Sequence, residues 1–227
     1  MKELLTELLM EDKTLIHVPF GDGFFDIYHS VVVTWIFMAV VIALILFLTH
    51  DLKVHNISKR QAVLESAVLF LRGAVSGMLG EEAAGYTDYI VTVLIFIGLS
   101  NMVGLFGFTP PTMDLNVTIA LSVMSIVLVE AAGLVKKGPK KWLKGFAEPM
   151  PVVAPMNVLE LVIRPLSLCM RLFGNILGAT VIMELLKHVV PVILPAALSL
   201  YFDLFDGAIQ AYVFCFLTSL YIKEAVE

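Results

Sequence analysis

The run Ser167-Leu-Cys-Met-Arg171-Leu-Phe-Gly-Asn175 carries one arginine near the centre of a long apolar stretch. Such a stretch is typical of a membrane-spanning helix, which satisfies its backbone polar groups internally. Arg171 keeps its proton in any protein environment, and its charge costs about 2.5–3.5 kcal/mol at the centre of such a helix. Apolar-rich sequence on both sides keeps the guanidinium from the interface. The default interpretation is therefore a functional charge that meets a carboxylate.

The composition points to a polytopic membrane protein. Of the 227 residues, 59% are hydrophobic and 15% are charged, which excludes an ordinary soluble domain. Cys169 and Cys215 lie in apolar runs at a spacing that matches no metal or redox motif, so we interpret them as packed thiols. No metal or cofactor is expected. The acidic N-terminus lacks a signal-peptide pattern and is predicted to begin with a short amphipathic helix.

Hydropathy predicts an all-α polytopic membrane protein, with about five transmembrane helices and one interfacial helix in a single membrane domain (1–227). The stretch 158–186 would be about 43 Å long as a helix, so a strong tilt is expected. In 58–80 the apolar part covers only 67–71, which favours the interface. The predicted segments are an N-terminal segment 1–29, spans 30–50, 89–108 and 115–135, the interfacial helix 58–80, and a tilted hairpin of 158–186 and 196–222.

Lysine placement predicts the orientation. Five lysines between Lys136 and Lys144 crowd one short loop, which the positive-inside rule places in the cytoplasm. The opposite loop, 109–114, has no lysine or arginine, and its two prolines break the helix. Asp114 or Asn116 is expected to cap the helix that follows. The N-terminus is therefore expected outside and the C-terminus in the cytoplasm.

Polar residues share a face with Arg171. Gly174 and Gly178 on the same helix would let a neighbouring backbone come close. A helical wheel predicts a second polar face on the last helix. Two carboxylates lie in the outer half of that helix, and a glutamine lies near mid-membrane depth. The first face spans roughly 80° and contains Glu160, Arg164, Ser167, Arg171, Asn175 and Gly178. The second contains Asp203, Asp206 and Gln210, while Thr180 and Glu184 lie opposite Arg171.

A fixed positive charge, with carboxylates nearer one membrane surface, is typical of an ion path that is divided into two halves. The carboxylates can relay protons or hydrated cations, and the arginine blocks a direct leak. Apart from Glu160, about three turns away, no acid stands on Arg171's own face. An unpaired intramembrane arginine implies that its counter-charge comes from a partner protein.

Several plainer interpretations stay open. Arg171 could pair with Asp203 or Asp206 across the hairpin, and Gln210 could be a helix–helix hydrogen bond without a transport role. Ser167 and Asn175 could serve packing alone. The remaining charged groups are interpreted as interfacial in this alternative: Asp203, Asp206, Glu184, Arg164, Glu130 and Glu148. No role is assigned to His17, His29 or His188.

Over nearly its whole length the chain resembles subunit a of F-type ATP synthases, the stator half of their membrane motor. The strongest match is the segment from Arg164 to Asn175, which is similar to that family's signature around an essential arginine. Further similar stretches are Pro111-Thr-Met-Asp114-Leu-Asn116-Val-Thr118, Lys144-Gly-Phe-Ala-Glu-Pro-Met-Pro151 and Gln210-Ala-Tyr-Val-Phe.

The resemblance implies roles for individual residues. Arg171 matches the essential arginine that faces a ring of c subunits, and Gln210 matches the glutamine near it. Ser167 and Asn175 match polar positions one turn to either side. Asp203 sits where the family often has a His or Glu in the inlet half-channel. Where many members carry an acid or His, this chain has Thr180, so the inlet carboxylate stays open among Asp203, Asp206 and Glu184.

The resemblance also implies a mechanism and partners. Ions would pass through two offset half-channels, and their flow would drive ring rotation and ATP synthesis. The expected partners are the c-ring, the peripheral-stalk subunit b, the remaining ATP synthase subunits and the lipid bilayer, with no nucleic acid. The chain is not expected to be an enzyme on its own, because nucleotide chemistry resides in the assembly. A bacterial cell membrane is the expected location, with H⁺ favoured over Na⁺.

The rival hypothesis is a self-contained secondary transporter or ion channel. Such proteins usually show paired broken helices or internal repeats, and neither is visible in the sequence. A membrane anchor without a conduction role is a third alternative, and a central arginine does not favour it.

Overall fold

Long helices dominate the structure, a computed structural model that describes residues 14–16, 27–50, 52–53, 58–106, 110–140, 142, 154–189 and 198–226. Short 3-10 turns precede and follow the third helix, at Ala84–Tyr86 and Val103–Phe106, and another, Pro111–Met113, precedes the fourth. A π-helical segment, Leu200–Asp206, leads into the last helix. The helices are α1 (His29–Thr49), α2 (Lys59–Leu79), α3 (Thr87–Met102), α4 (Leu115–Lys137), α5 (Ala154–Val189) and α6 (Gly207–Val226).

Six described segments are long and apolar enough to cross a membrane, judged by length and composition. That is one more than the five predicted spans, and the additional one is Lys59–Leu79, which the sequence analysis placed in the interface. Helix α5 has 36 residues, or about 54 Å, so it is longer than predicted and exceeds the ~30 Å hydrocarbon core. A helix of that length fits the bilayer by tilting.

Local signals set the ends of α2 and α4. Asp114 caps α4, because its Oδ1 accepts a hydrogen bond from the Asn116 backbone N–H at 2.8 Å. Ser58 Oγ caps α2 by accepting from the Gln61 N–H at 3.3 Å. Both helices stop at glycines with positive φ, Gly80 at 73° and Gly138 at 79°, a conformation that costs glycine little.

Two short strands precede α1. Thr14–Ile16 (β1) and Ile27–Tyr28 (β2) pair antiparallel, with Thr14 opposite Tyr28 and Ile16 opposite Ile27. This pair is an exception to the predicted all-α fold, because strands of two or three residues are too short to show an alternating pattern. The predicted N-terminal amphipathic helix lies outside the described residues.

Helix α6 occupies the centre of the bundle, where it packs against α2, α3, α4 and α5. Phe214 and Ile222 on α6 are 1% and 0% exposed, and Leu172 on α5 is also fully buried. Cys169 and Cys215 are buried and free, as predicted. Helix α1 lies at the edge, with mostly exposed side chains. This packing holds Gln210 inside the bundle, and no described residue covers the outer side of α5.

Candidate functional site

Arg171 lies on the side of α5 that the described residues leave uncovered. Leu168, Leu172 and Ile176, spaced four apart, form the buried side of the helix, at 1%, 0% and 9% exposure. Arg171 itself is exposed. Among the described residues, no hydrogen bond or ion pair reaches its guanidinium, so neither Asp203 nor Asp206 neutralises it. That its counter-charge comes from a partner protein stays a prediction.

The surroundings of Arg171 form an open face, which we define as Ser167, Arg171, Gly174, Asn175 and Gly178. All five residues are exposed. A Cβ placed on Gly174 or Gly178 meets nothing within 4 Å in the described structure. These glycines therefore do not serve packing among the described residues. They leave a shallow surface beside the arginine, where the backbone of another protein can approach closely.

Asn175 connects the open face to the centre of the bundle. Its Nδ2 donates a hydrogen bond to Gln210 Oε1 at 2.6 Å, which ties α5 to α6 one turn beyond Arg171. Gln210 is 4% exposed, and its Nε2 has no hydrogen-bond partner among the described residues. An unsatisfied buried donor costs roughly 1–3 kcal/mol and commonly marks a functional or hydrated site.

Arg164 makes the second polar link between α5 and α6. Its Nη2 donates to Glu160 Oε2 on the same helix and to Glu224 Oε1 on α6, both at 2.8 Å. The guanidinium carbon lies 4.9 Å from the centre of the Tyr221 ring. With a side chain only 19% exposed, Arg164 is held between the two helices, and its interfacial position stays a prediction. Glu224 was missed by the sequence analysis, because an acid near a helix end gives no distinguishing signal.

Asp203 lies on the π-helical segment. It is half-buried, and a Cβ placed on Gly104 would be 2.8 Å from its Oδ1, so the carboxylate packs directly against the turn that follows α3. The predicted common face of Asp203, Asp206 and Gln210 assumed α geometry throughout. A π turn takes in an extra residue and changes the direction of the side chains before it, so Asp203 and Gln210 have different neighbours.

A buried polar cluster beside Asp203 was also missed. Asn101, 3% exposed, donates from Nδ2 to the Gly207 carbonyl at 3.0 Å and accepts from Thr112 Oγ1 at 2.7 Å. A Cβ on Gly207 would be 2.8 Å from Asn101 Cβ, so the two helices touch where the π segment ends. The sequence feature that could have revealed this cluster is Asn101, a single asparagine within an apolar span.

The remaining residues that the sequence singled out either lie away from Arg171 or fall outside the part of the chain that the structure describes. Thr180 Oγ1 donates to the Ile176 carbonyl of its own helix at 2.9 Å. Glu130 Oε2 accepts from Trp142 Nε1 at 3.0 Å. The side chains of Glu184, His29 and His188 and the whole of His17 and Glu148 lie outside the described structure. Within the described residues, no group of three His, Cys, Asp or Glu side chains could hold a metal ion.

Comparison with known proteins identifies the family. Residues 31–223 match the family model described as ATP synthase A chain. "ATP synthase subunit a" of Moorella thermoacetica is 37% identical over 206 residues, 90% of this chain and 94% of the relative. "ATP synthase subunit a 2" of Acaryochloris marina is 33% identical over 90% of this chain and 88% of the relative. "ATP synthase subunit a, sodium ion specific" of Propionigenium modestum is 34% identical over 89% and 75%. The chain belongs to the ATP synthase subunit a family, the ion-translocating stator of the F-type enzyme.

Proposed function

We propose that the open face of α5 is the surface along which a ring of c subunits turns, with Arg171 facing the ring carboxylates. The observation that carries this proposal is an exposed arginine without a counter-charge in the described chain, beside two glycines that pack against nothing within it. A charge this costly in a bilayer requires a carboxylate, and the open face leaves room for a helix that brings one.

The arginine acts through its fixed charge. A ring carboxylate that arrives opposite Arg171 is stabilised in its ionised form, so it releases its ion before it passes. The same charge repels cations that would otherwise cross directly between the two sides. Because a membrane potential supplies ~2.3 kcal/mol per charge per 100 mV, several ions are needed for each ATP, which suits a ring better than a single-step carrier.

Two offset half-channels serve the ring in this proposal. The inlet opens on the outer side at the π segment, where Asp203 and Asp206 are half-buried, with Glu184 as the third inlet acid. Gln210 and Asn175, joined at 2.6 Å, lie between the inlet and the arginine. The outlet runs toward the cytoplasm along the side of α5 that carries the two remaining predicted residues, Ser167 and Glu160. Ion selectivity resides mainly in the ring site, so the proposal covers both H⁺ and Na⁺.

The proposed setting is a bacterial cell membrane, with the N-terminus outside and the C-terminus in the cytoplasm. The lysine-rich end of α4 supports this orientation, since Lys136 and Lys137 lie in its last turn. The chain binds no nucleotide itself in this proposal. It works with the c-ring, the peripheral-stalk subunit b and the remaining subunits.

Reconstitution separates the stator from a self-contained transporter or channel. We expect the purified chain alone, in lipid vesicles, to give no ion flux above that of empty vesicles, because the carboxylate that carries the ion belongs to the ring. The complete complex in the same vesicles should pump ions when ATP is added. Coupled transport by the single chain would contradict the stator assignment.

Asp203→Asn tests the position of the inlet. The substitution keeps the side-chain volume but removes the charge that packs against Gly104, so we expect ATP-driven pumping to fall about tenfold or more. Glu130→Gln is the matched control, since it removes a carboxylate but keeps an oxygen that accepts from Trp142 Nε1. Pumping is measured in inverted membrane vesicles. A larger loss in the control than in Asp203→Asn would refute the proposed inlet.

A further inference from the structure

We propose that Arg164, through Glu224 and Tyr221, is a positioning residue that fixes the depth and direction of Arg171 while the ring turns. The inference rests on the proposed role of Arg171 and adds a second requirement to it. An arginine that must release each ring carboxylate in turn has to stay in place when that carboxylate moves on. The structure shows which contacts hold α5 against α6 on either side of Arg171.

Two polar links between α5 and α6 lie on either side of Arg171. The contacts of Arg164 with Glu224 and Tyr221 form one link, which lies seven residues before Arg171, or about two helical turns. The Asn175–Gln210 hydrogen bond is the other, and it lies one turn after Arg171. On α5 the links are eleven positions apart, from Arg164 to Asn175, and on α6 Tyr221 and Glu224 lie eleven and fourteen positions after Gln210. The two helices therefore run antiparallel, and the part of α5 that carries Arg171 is bonded to α6 at both of its ends.

The helix is weakened at the Arg164 end. Pro165 follows directly and lies inside α5, where it lacks the N–H that would bond to the carbonyl four residues earlier. A missing helical bond lowers the resistance of the helix to bending at that point. The ion pair with Glu224 lies beside this weak point and connects it to the central helix α6.

The charges at this link are well placed to resist displacement. The Arg164 side chain is 19% exposed and lies 2.8 Å from the Glu224 carboxylate, so the arginine end of the ion pair is shielded from water. The Tyr221 ring adds a cation–π contact from the same helix. By contrast, the Glu160 contact lies within α5 and cannot hold that helix against α6.

Glu224→Gln in the assembled complex tests the inference. The substitution removes the charge on α6, and Glu224 is 59% exposed, so folding is expected to tolerate it. We expect ions pumped per ATP hydrolysed to fall between about threefold and tenfold, because a small misplacement of a catalytic charge has effects of that order or larger. Passive ion leak through membranes stripped of the catalytic sector should rise, since Arg171 no longer blocks the direct path.

Asp88→Asn is the matched control. Asp88 pairs with Arg72 at 2.9 Å and joins α2 to α3, so it is also an arginine–carboxylate link between helices but lies away from Arg171. Its pumping and leak should match the wild type. Glu224→Asp keeps the charge and should retain most of the pumping. All values are divided by the amount of subunit a in assembled complex, measured by immunoblot after native electrophoresis.

Three outcomes decide between the hypotheses. Lower pumping per ATP and higher leak at unchanged complex content, with recovery in Glu224→Asp, support a positioning role. Wild-type behaviour of Glu224→Gln overturns the positioning role, and so does a loss of pumping that is fully explained by a smaller amount of assembled complex. Arg171→Ala is tested in the same vesicles, and wild-type pumping by that variant would instead overturn the proposed function itself.

Discussion

Arg171→Ala is expected to lower ATP-driven ion pumping at least about 100-fold while the amount of assembled complex stays unchanged. The side chain is exposed on the open face, and no described residue of the chain bonds to it, so its removal breaks no contact within the fold. In the proposed function, what is lost is the charge that ionises the ring carboxylate and blocks the direct path. The measurement is dye-reported acidification, or ²²Na⁺ uptake, in inverted vesicles, normalised to complex content.

Lys140→Ala is the control for loss of a cation. Lys140 is exposed in the lysine-rich segment after α4, so its removal should leave pumping unchanged. Arg171→Lys adds a stricter comparison, because lysine keeps the positive charge but loses the planar fork of donors. We expect Arg171→Lys to lie between the wild type and Arg171→Ala. Pumping near the wild-type rate in Arg171→Ala would refute the role assigned to the residue.

Gly207→Ala is expected to have a large effect on both thermal stability and pumping. Its added Cβ would lie 2.8 Å from Asn101 Cβ, and an atom so close to the backbone cannot swing away as the end of a long side chain can. Helices α3 and α6 must separate, which strains the Asn101–Gly207 hydrogen bond and moves the π segment that carries Asp203. Overpacking of this kind costs about 1–3 kcal/mol. We expect a lower temperature of thermal inactivation and pumping reduced about tenfold.

Gly98→Ala offers a control at the same helix interface. A Cβ on Gly98 would lie 3.9 Å from Ala211 Cβ, an ordinary contact, and alanine favours the helix over glycine by up to about 1 kcal/mol. Its thermal inactivation temperature should be unchanged or higher. If both variants behaved alike, the close approach at Gly207 would not be what positions the inlet segment.

The sequence was sufficient to predict five of the six described segments that are long and apolar enough to cross a membrane, and to single out Arg171 as a candidate. Both follow from the cost of polar groups in hydrocarbon. Charge-free apolar runs longer than a bilayer is thick can only be buried in lipid or in other helices. The same cost makes a central arginine stand out without any knowledge of its neighbours. Asp114 was likewise expected as a cap from its place before an apolar run, and it caps α4.

Tertiary structure decided which polar groups meet. The two links from α5 to α6, at Arg164–Glu224 and Asn175–Gln210, join residues 60 and 35 positions apart, and periodicity along one helix contains no information about such pairs. The π segment also escaped prediction, and so did its tertiary contacts: Asp203 packs against Gly104, and Asn101 bonds to Gly207 directly after the segment. Local free-energy costs thus determine where this chain can lie in a membrane. The neighbours of each carboxylate and amide depend on helix contacts that form only when the bundle packs.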